Sequence, residues 1–194
     1  VSWVQIGTDQ EAHVYGEIMD EQNRSAFNAS IGLDTKLFMP HVAKNTTKFS
    51  TLLSSVNAGR IAATAQLEAT PTSQTAAIDG HQKPYASESL NLQTYLGADL
   101  SPVDWVELTS DQGLAAMEFF RVLPQETQLA SLGLENQPSK DLHFLHIATD
   151  TGQFWTGMVY INVGSASARV SETYYQADGS VLSSRTYNLA ANGK

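Results

Sequence analysis

The chain has 194 residues, 11 of them Lys or Arg against 20 Asp or Glu, and the resulting charge of −9 disfavours nucleic acid, whose phosphates call for clustered basic side chains. It has no cysteine, which excludes disulfides and thiolate metal sites, and no apolar run near the ~20 residues of a membrane span, so no membrane insertion is expected. Hydrophobic residues make up 42%, enough for ordinary cores, while charged residues are only 16% and Ser, Thr, Asn, Gln and Gly abound, a balance that favours strands and turns over long helices.

In chain order, Trp3 to Thr8 alternates as a short half-buried strand and ends at a polar turn, where Asp9 suits an Asx-type cap. Glu11 to Met19 reads as a second strand and Asp20 to Lys36 as a polar loop. Short strands follow at Phe38 to Ala43 and Phe49 to Asn57, separated by the loop Lys44 to Lys48 and closed by an Asn57-Ala58-Gly59 turn. Ala62 to Thr70 is a strand, a loose connection runs through Pro71 to Ala77 to a turn at Asp79-Gly80, and Glu88 to Leu92 is a further strand. Gly97 to Pro102 then has the composition of a linker.

Beyond it, Trp105 to Ser110 and Gly113 to Val122 read as strands on either side of a turn containing Asp111, and Pro124 to Asp141 as a loop. Strands are predicted at Phe144 to Ala148 and Phe154 to Asn162, with the turn Asn162-Val163-Gly164 after them. The clearest unit is the last: Ala168 to Gln176 and Val181 to Leu189 flank Ala177-Asp178-Gly179-Ser180, and an Asp-Gly pair between β-rich runs is the strongest short hairpin signal.

The second half repeats the first. Leu37–Gly59 and Leu142–Gly164, aligned without gaps at an offset of 105, share eight identities in 23 positions, among them His41/His146, Phe49/Phe154, Asn57/Asn162 and Gly59/Gly164. Trp3–Gln10 matches Trp105–Gln112 at an offset of 102, so the blocks differ by a three-residue insertion. The period is domain-sized, well above that of solenoids and propellers. Six or so closely spaced strands per copy predict an all-β protein of two tandem β-sandwich domains, residues 1–99 and 100–194. An alternative frame has one complete unit over about 37–136 with half-units at each end, whose open strand edges would invite self-association.

Phe144-Leu-His-Ile-Ala148, Phe154-Trp-Thr-Gly157, Tyr160-Ile-Asn-Val-Gly164, Phe38-Met-Pro-His41 and Thr109-Ser-Asp-Gln112 together resemble an uncharacterised family of bacterial exported β-sandwich repeats. Those repeats carry Phe-Pro-His-Ile-Ala, Trp-Thr-Gly and Val-Asn-Pro-Gly blocks; here Leu145 replaces the proline in the second copy. The resemblance implies an immunoglobulin-like sandwich in a secreted, periplasmic or cell-surface protein, and it brings no activity with it. The start at Val1 rather than Met reads as a processed or excised chain.

Specific chemistry finds little support. His41 and His146 recur but have no ligand partner at i+2 or i+4, so a structural role is expected of both. No interleaved Asp series, Gly-x-Ser-x-Gly elbow or phosphate-cradling glycine loop is present, so neither a metal nor a cofactor is expected. Trp3 and Trp105 recur and read as core anchors; Asn57 and Asn162 read as turn-forming. Trp155, Tyr160, Tyr174, Tyr175 and Tyr187 are the candidates for an exposed aromatic platform, with Tyr175 and Tyr187 expected to face each other across the last hairpin. The expected function is a non-catalytic module for adhesion, binding or spacing, with an extracellular protein or glycan as partner. A carbohydrate-binding module is the alternative, and a hydrolase with unrecognised carboxylates stands third.

Overall fold

A computed structural model describes residues 15–19, 24–28, 32–124, 129–144, 147 and 156–194. Its elements are β1 (Tyr15–Met19), β2 (Arg24–Asn28), β3 (Asp34–Met39), β4 (Phe49–Asn57), β5 (Ala63–Thr70), β6 (Gln74–Gln82), β7 (Ala86–Asn91), α1 (Leu92–Leu96), β8 (Trp105–Val122), β9 (Leu129–Gly133), β10 (Ala168–Tyr175) and β11 (Val181–Leu189). The protein is mostly β, with a single helical turn among the described residues. The chain divides into two compact units, Val1–Asn136 and Gln137–Lys194.

The first unit is built on β8, 18 residues long, whose two halves pair with different strands. Its first half lies antiparallel between β3 (Met39↔Val106) and β5 (Thr70↔Trp105 to Ala65↔Ser110). Its second half lies between β4 (Val56↔Ala115 to Phe49↔Val122) and β9 (Met117↔Gly133 to Arg121↔Leu129). β6 then pairs with β5, and β7 with β4.

The expected turn at Asp111 is therefore absent, and β8 continues through it as one strand with an irregular register against β3. Its polar residues act at the crossing, where the ladder changes partners. Asp111 Oδ1 accepts the amide of Thr64 at 2.8 Å, beside the point where the β5–β6 register shifts, so a donor that leaves the ladder still has an acceptor. The β3 register shifts at the same place: Asp34 lies opposite Leu114 but Lys36 opposite Thr109. Gly113 makes that crossing sterically feasible, because a Cβ there would stand 2.8 Å from Leu33 Cβ and 3.0 Å from the Leu33 carbonyl carbon and oxygen.

The core follows from the two-residue period of the strands. In β5, Ala63, Ala65, Leu67 and Ala69 are buried while the residues between them are exposed, and in β4 the inward positions are Thr51, Leu53, Ser55 and Asn57. These meet Leu37 and Met39 of β3, Ile78 of β6, Leu90 of β7, and Val106, Leu108 and Leu114 of β8. The Gly97–Pro102 stretch lies inside this unit rather than between units. Asn91 Oδ1 caps α1 at the Gln93 amide (3.0 Å), and Gly97 at φ +96° ends it. Leu100 and Val103 are then 0% and 1% exposed in the core.

Three further sequence expectations change. β2 and β9 occupy stretches read as loops: among the described residues each pairs with a single strand, so neither needs a continuous apolar pattern. The β5–β6 connection is the short turn Pro71–Ser73, with Ser73 at φ +54°, and residues 79–80 lie within β6. In the second unit, 142–144 and 156–162 enter no sheet among the described residues, although the stretches 105 residues earlier do. β4 has β7 and β8 as ladder partners, and the described residues of 137–194 hold no counterpart of either. The last hairpin is as expected, with β10 and β11 antiparallel and Gly179 at φ +85° in the turn.

The two hairpins of the first unit share one register. Tyr15↔Asn28 through Met19↔Arg24 in β1–β2 corresponds to Met117↔Gly133 through Arg121↔Leu129 in β8–β9, at offsets of 102 for the first strand and 105 for the second. Between the innermost pairs lie residues 20–23 in one hairpin and 122–128 in the other, four against seven, which accounts for the three-residue insertion.

Because the Leu33 backbone blocks the space beside Gly113, Gly113→Ala should destabilise the first unit by about 1–3 kcal/mol. A urea melt followed by tryptophan fluorescence checks this. Gly133→Ala, at a position with nothing within 4 Å of the added Cβ, should cost clearly less.

Candidate functional site

The best-defined polar constellation lies on one face of the β10–β11 hairpin. Its register sets Glu172 opposite Arg185 and Val170 opposite Tyr187, and Tyr174 follows Glu172 two residues along the same face. Glu172 is the buried residue of 137–194 among those described, at 8% exposure.

Each carboxylate oxygen accepts two hydrogen bonds. Oε2 accepts from Arg185 Nε and Tyr174 OH, both at 2.5 Å, and Oε1 from Arg185 Nη2 at 3.1 Å and Tyr187 OH at 2.6 Å. The guanidinium fork is thus bidentate, and the four lone-pair positions of the carboxylate are filled. The Arg185 guanidinium also lies 5.9 Å from the Tyr174 ring centre and 5.8 Å from that of Tyr187.

The electrostatics follow from these bonds. Arg185 above all, with the two phenols assisting against burial, brings the Glu172 carboxyl down to about 2. Burial, then the bond to the carboxylate, raises the Tyr187 phenol to about 12. Tyr174 is raised chiefly by its bond to Glu172, and Tyr160 chiefly by burial and then by the Glu172 charge. A carboxylate so acidic and so fully bonded is a fixed anion at neutral pH, since a general acid or base needs a pKa near the working pH and a free position for the substrate proton.

An aromatic file extends from this cluster. Tyr187 meets Tyr160 edge-on at 6.5 Å, and Tyr160 meets Phe144 edge-on at 6.2 Å, with Phe144 50% exposed. The structure therefore brings together Tyr160 and Tyr187 of the sequence-derived candidates. It separates Tyr175, which pairs with Val181 beyond a register shift and is 64% exposed, so Tyr175 and Tyr187 do not face each other. Trp155, Trp3, Asp9 and His146 lie outside the described residues.

Glu172 and Arg185 were not apparent as a site in the sequence, and Tyr174 was legible only as one of the platform tyrosines. The usable signal was local: counting outward from the Asp178-Gly179 turn puts Glu172 across from Arg185, and the i, i+2 spacings to Tyr174 and Tyr187 put all four on one face.

A second constellation occurs twice. Asn57 Nδ2 donates to the carbonyls of Ile61 (2.8 Å) and Gln82 (2.9 Å), while its Oδ1 accepts the Gly59 amide (2.9 Å). Asn162 Nδ2 donates to the carbonyls of Ala166 and Ala190, both at 2.8 Å, and its Oδ1 accepts the Gly164 amide at 3.0 Å. Either glycine with a Cβ would approach that Oδ1 to 3.1 Å. Each asparagine thus ties a turn to the end of a later strand.

His41 is half-buried and meets the Phe120 ring edge-on at 4.9 Å. Trp105 is 4% exposed and meets Phe38 edge-on at 5.9 Å. Among the described residues no group of three His, Cys, Asp or Glu side chains is placed to hold a metal ion. No described helix is long and apolar enough to cross a membrane. No family model, curated protein or solved structure matches the chain.

Two predictions follow from these bonds. The Glu172 carboxyl is more acidic folded than its ordinary 4.5, so the stability it gives the hairpin is complete above that pH and is lost as the pH falls towards about 2. Tyr187 is raised from 10 to about 12, so its contribution is complete below pH 10 and is lost on rising towards 12. Melts of the intact protein across pH should show both limbs, and Glu172→Gln should remove the acid limb and lower the tyrosinate midpoint of Tyr187.

Asn57, fully buried, leaves two carbonyls and an amide without its side chain when replaced, so Asn57→Ala should cost about 1–3 kcal/mol in a urea melt. Asn162→Ala should cost less, because water reaches that half-buried site, and should speed amide exchange at Gly164.

Proposed function

We propose that the chain is a non-catalytic array of β-sandwich repeats of immunoglobulin-like type from an exported bacterial protein, serving adhesion, binding or spacing. One observation carries the reading: the asparagine lock at Asn57 recurs at Asn162, 105 residues on, with the same i+2 amide, the same i+4 carbonyl and a third bond at the end of a later strand, to Gln82 in one and to Ala190, just past β11, in the other. Repetition of a whole structural device, rather than of single residues, is what a duplicated module leaves behind. The shared register of β1–β2 and β8–β9 supports the same reading. The repeat frame is then a complete copy over about 37–136 with a half-copy on each side. The saturated Glu172 carboxylate supports a binding or spacing role over hydrolysis.

The aromatic file Phe144–Tyr160–Tyr187, bordered by Arg185, favours a glycan as a second reading, because sugar rings stack on aromatic faces and Arg185, whose side chain is 61% exposed, can donate to hydroxyls.

A glycan array probed with the intact chain separates the two. The spacing and protein-adhesion reading expects no glycan to be retained and no turnover of ester or glycoside substrates. Retention of one defined sugar, lost in Phe144→Ala with an unchanged melting curve, would replace it with the carbohydrate-binding reading.

A further inference from the structure

We infer that Ser55 and Gln82 form a covalent staple through the core of the first unit, an ester between the Ser55 hydroxyl and the Gln82 side chain made with loss of ammonia. Ser55 lies on β4 and Gln82 ends β6, and these strands are not neighbours in the order β6-β5-β8-β4-β7. Their side chains meet nonetheless, Gln82 Nε2 donating to Ser55 Oγ. Asn57, two residues along β4, donates to the Gln82 carbonyl at 2.9 Å and holds the backbone at the same place. The second copy brings the same two positions together: Tyr160 and Tyr187, each 105 residues on, meet edge-on at 6.5 Å. The contact is thus a property of the repeat, and in the first copy it joins a hydroxyl to a carboxamide.

The surroundings favour the joined form. Ser55 is 0% and Gln82 4% exposed, and among the described residues nothing donates to Gln82 Oε1. A buried amide carbonyl without a donor is costly, and an ester carbonyl, the weaker acceptor, costs less to bury. Condensation also takes the hydroxyl proton and both amide N–H donors out of the core. The fold holds nucleophile and carbonyl in contact before reaction, and the same burial keeps water from hydrolysing the product. With no cysteine in the chain, such a bond would be the staple that a disulfide supplies elsewhere, joining residues 27 apart.

The step balances without a co-reactant. Ser55 Oγ attacks Gln82 Cδ, the Oγ–Cδ bond forms and the Cδ–Nε2 bond breaks. The Oγ proton passes to the nitrogen, which leaves as ammonia. A carboxylate to carry that proton lies on the same face of the sheet. Leu53 pairs with Glu118 and Ser55 with Ala116, so Glu118, 0% exposed, is one diagonal step from Ser55, about 7–8 Å along the backbone and within reach of a long side chain.

The test is the mass of the full chain. Followed until constant, it should fall one ammonia short of the sequence value, and Ser55→Ala should restore that value. Loss of ammonia from an asparagine would give the same mass, so digestion locates the join. Trypsin cuts after Lys48, Arg60 and Arg121 but not between Lys83 and Pro84, so peptides 49–60 and 61–121 should travel as one species and be parted by neutral hydroxylamine, which cleaves esters and leaves amides. Glu118→Gln, shown to be folded by circular dichroism, should shed ammonia more slowly, and an unchanged rate would take Glu118 out of the step. A native chain of full sequence mass, a loss that persists in Ser55→Ala, or separate 49–60 and 61–121 peptides would each overturn the staple. The Asn57 and Asn162 variants test the repeat reading separately.

Discussion

The first unit depends on one strand keeping its course while changing its partners. β8 supplies ladder hydrogen bonds to β3 and β5 with one half and to β4 and β9 with the other, and β6 and β7 join only through β5 and β4. The backbone donors and acceptors of four strands thus have their partners on a single segment. Because strand faces alternate, a slip of one residue in β8 would turn Val106 and Leu108 outward against β5 and move Ala116 off its face against β4. Two local features fix the crossing: the missing Cβ of Gly113 beside Leu33, and the Asp111 carboxylate that takes up the Thr64 amide.

The second unit solves a different problem. Where the first unit buries Leu67, its counterpart position carries Glu172, and a carboxylate can sit at 8% exposure only with its charge answered. Arg185 and two phenols answer it from the same hairpin, so the cluster is self-contained and asks nothing of neighbouring elements. Catalytic carboxylates are commonly tuned upward, by apolar burial or a like charge, so that a proton is available near neutrality. Glu172 is tuned the other way, and the surrounding tyrosines are held as donors. That arrangement holds aromatic rings and one guanidinium in fixed positions on one face of the hairpin.

What the sequence revealed divides by range. The β10–β11 hairpin and the strands β4 and β5 were legible because turn chemistry and two-residue alternation are written in adjacent residues. β2 and β9 were not, since strands that pair with a single strand among the described residues carry a weak pattern. Thr109-Ser-Asp-Gln112 has the composition of a turn, and its use as a strand crossing follows only from where Thr64 and Leu33 lie. Gly97–Pro102 likewise reads as a linker until Leu100 and Val103 are seen in the core. The described part of the expected strand, 156–162, shows the converse: its pattern is that of a strand, but a strand is a property of a pair, and among the described residues it has none. For the site, Tyr160 and Tyr187 could be singled out as aromatic residues, whereas the central role of Glu172 required the register.

The unequal hairpin tips have a consequence for how the chain tolerates change. Four residues lie between the innermost pair of β1–β2 and seven between that of β8–β9, yet the five paired positions of each keep the same register. Length at that point is decoupled from pairing. The span is thus a natural splice point: the pairing of Met117–Arg121 with Leu129–Gly133 does not fix how many residues lie between them, so a foreign epitope inserted after residue 124 should leave that register intact.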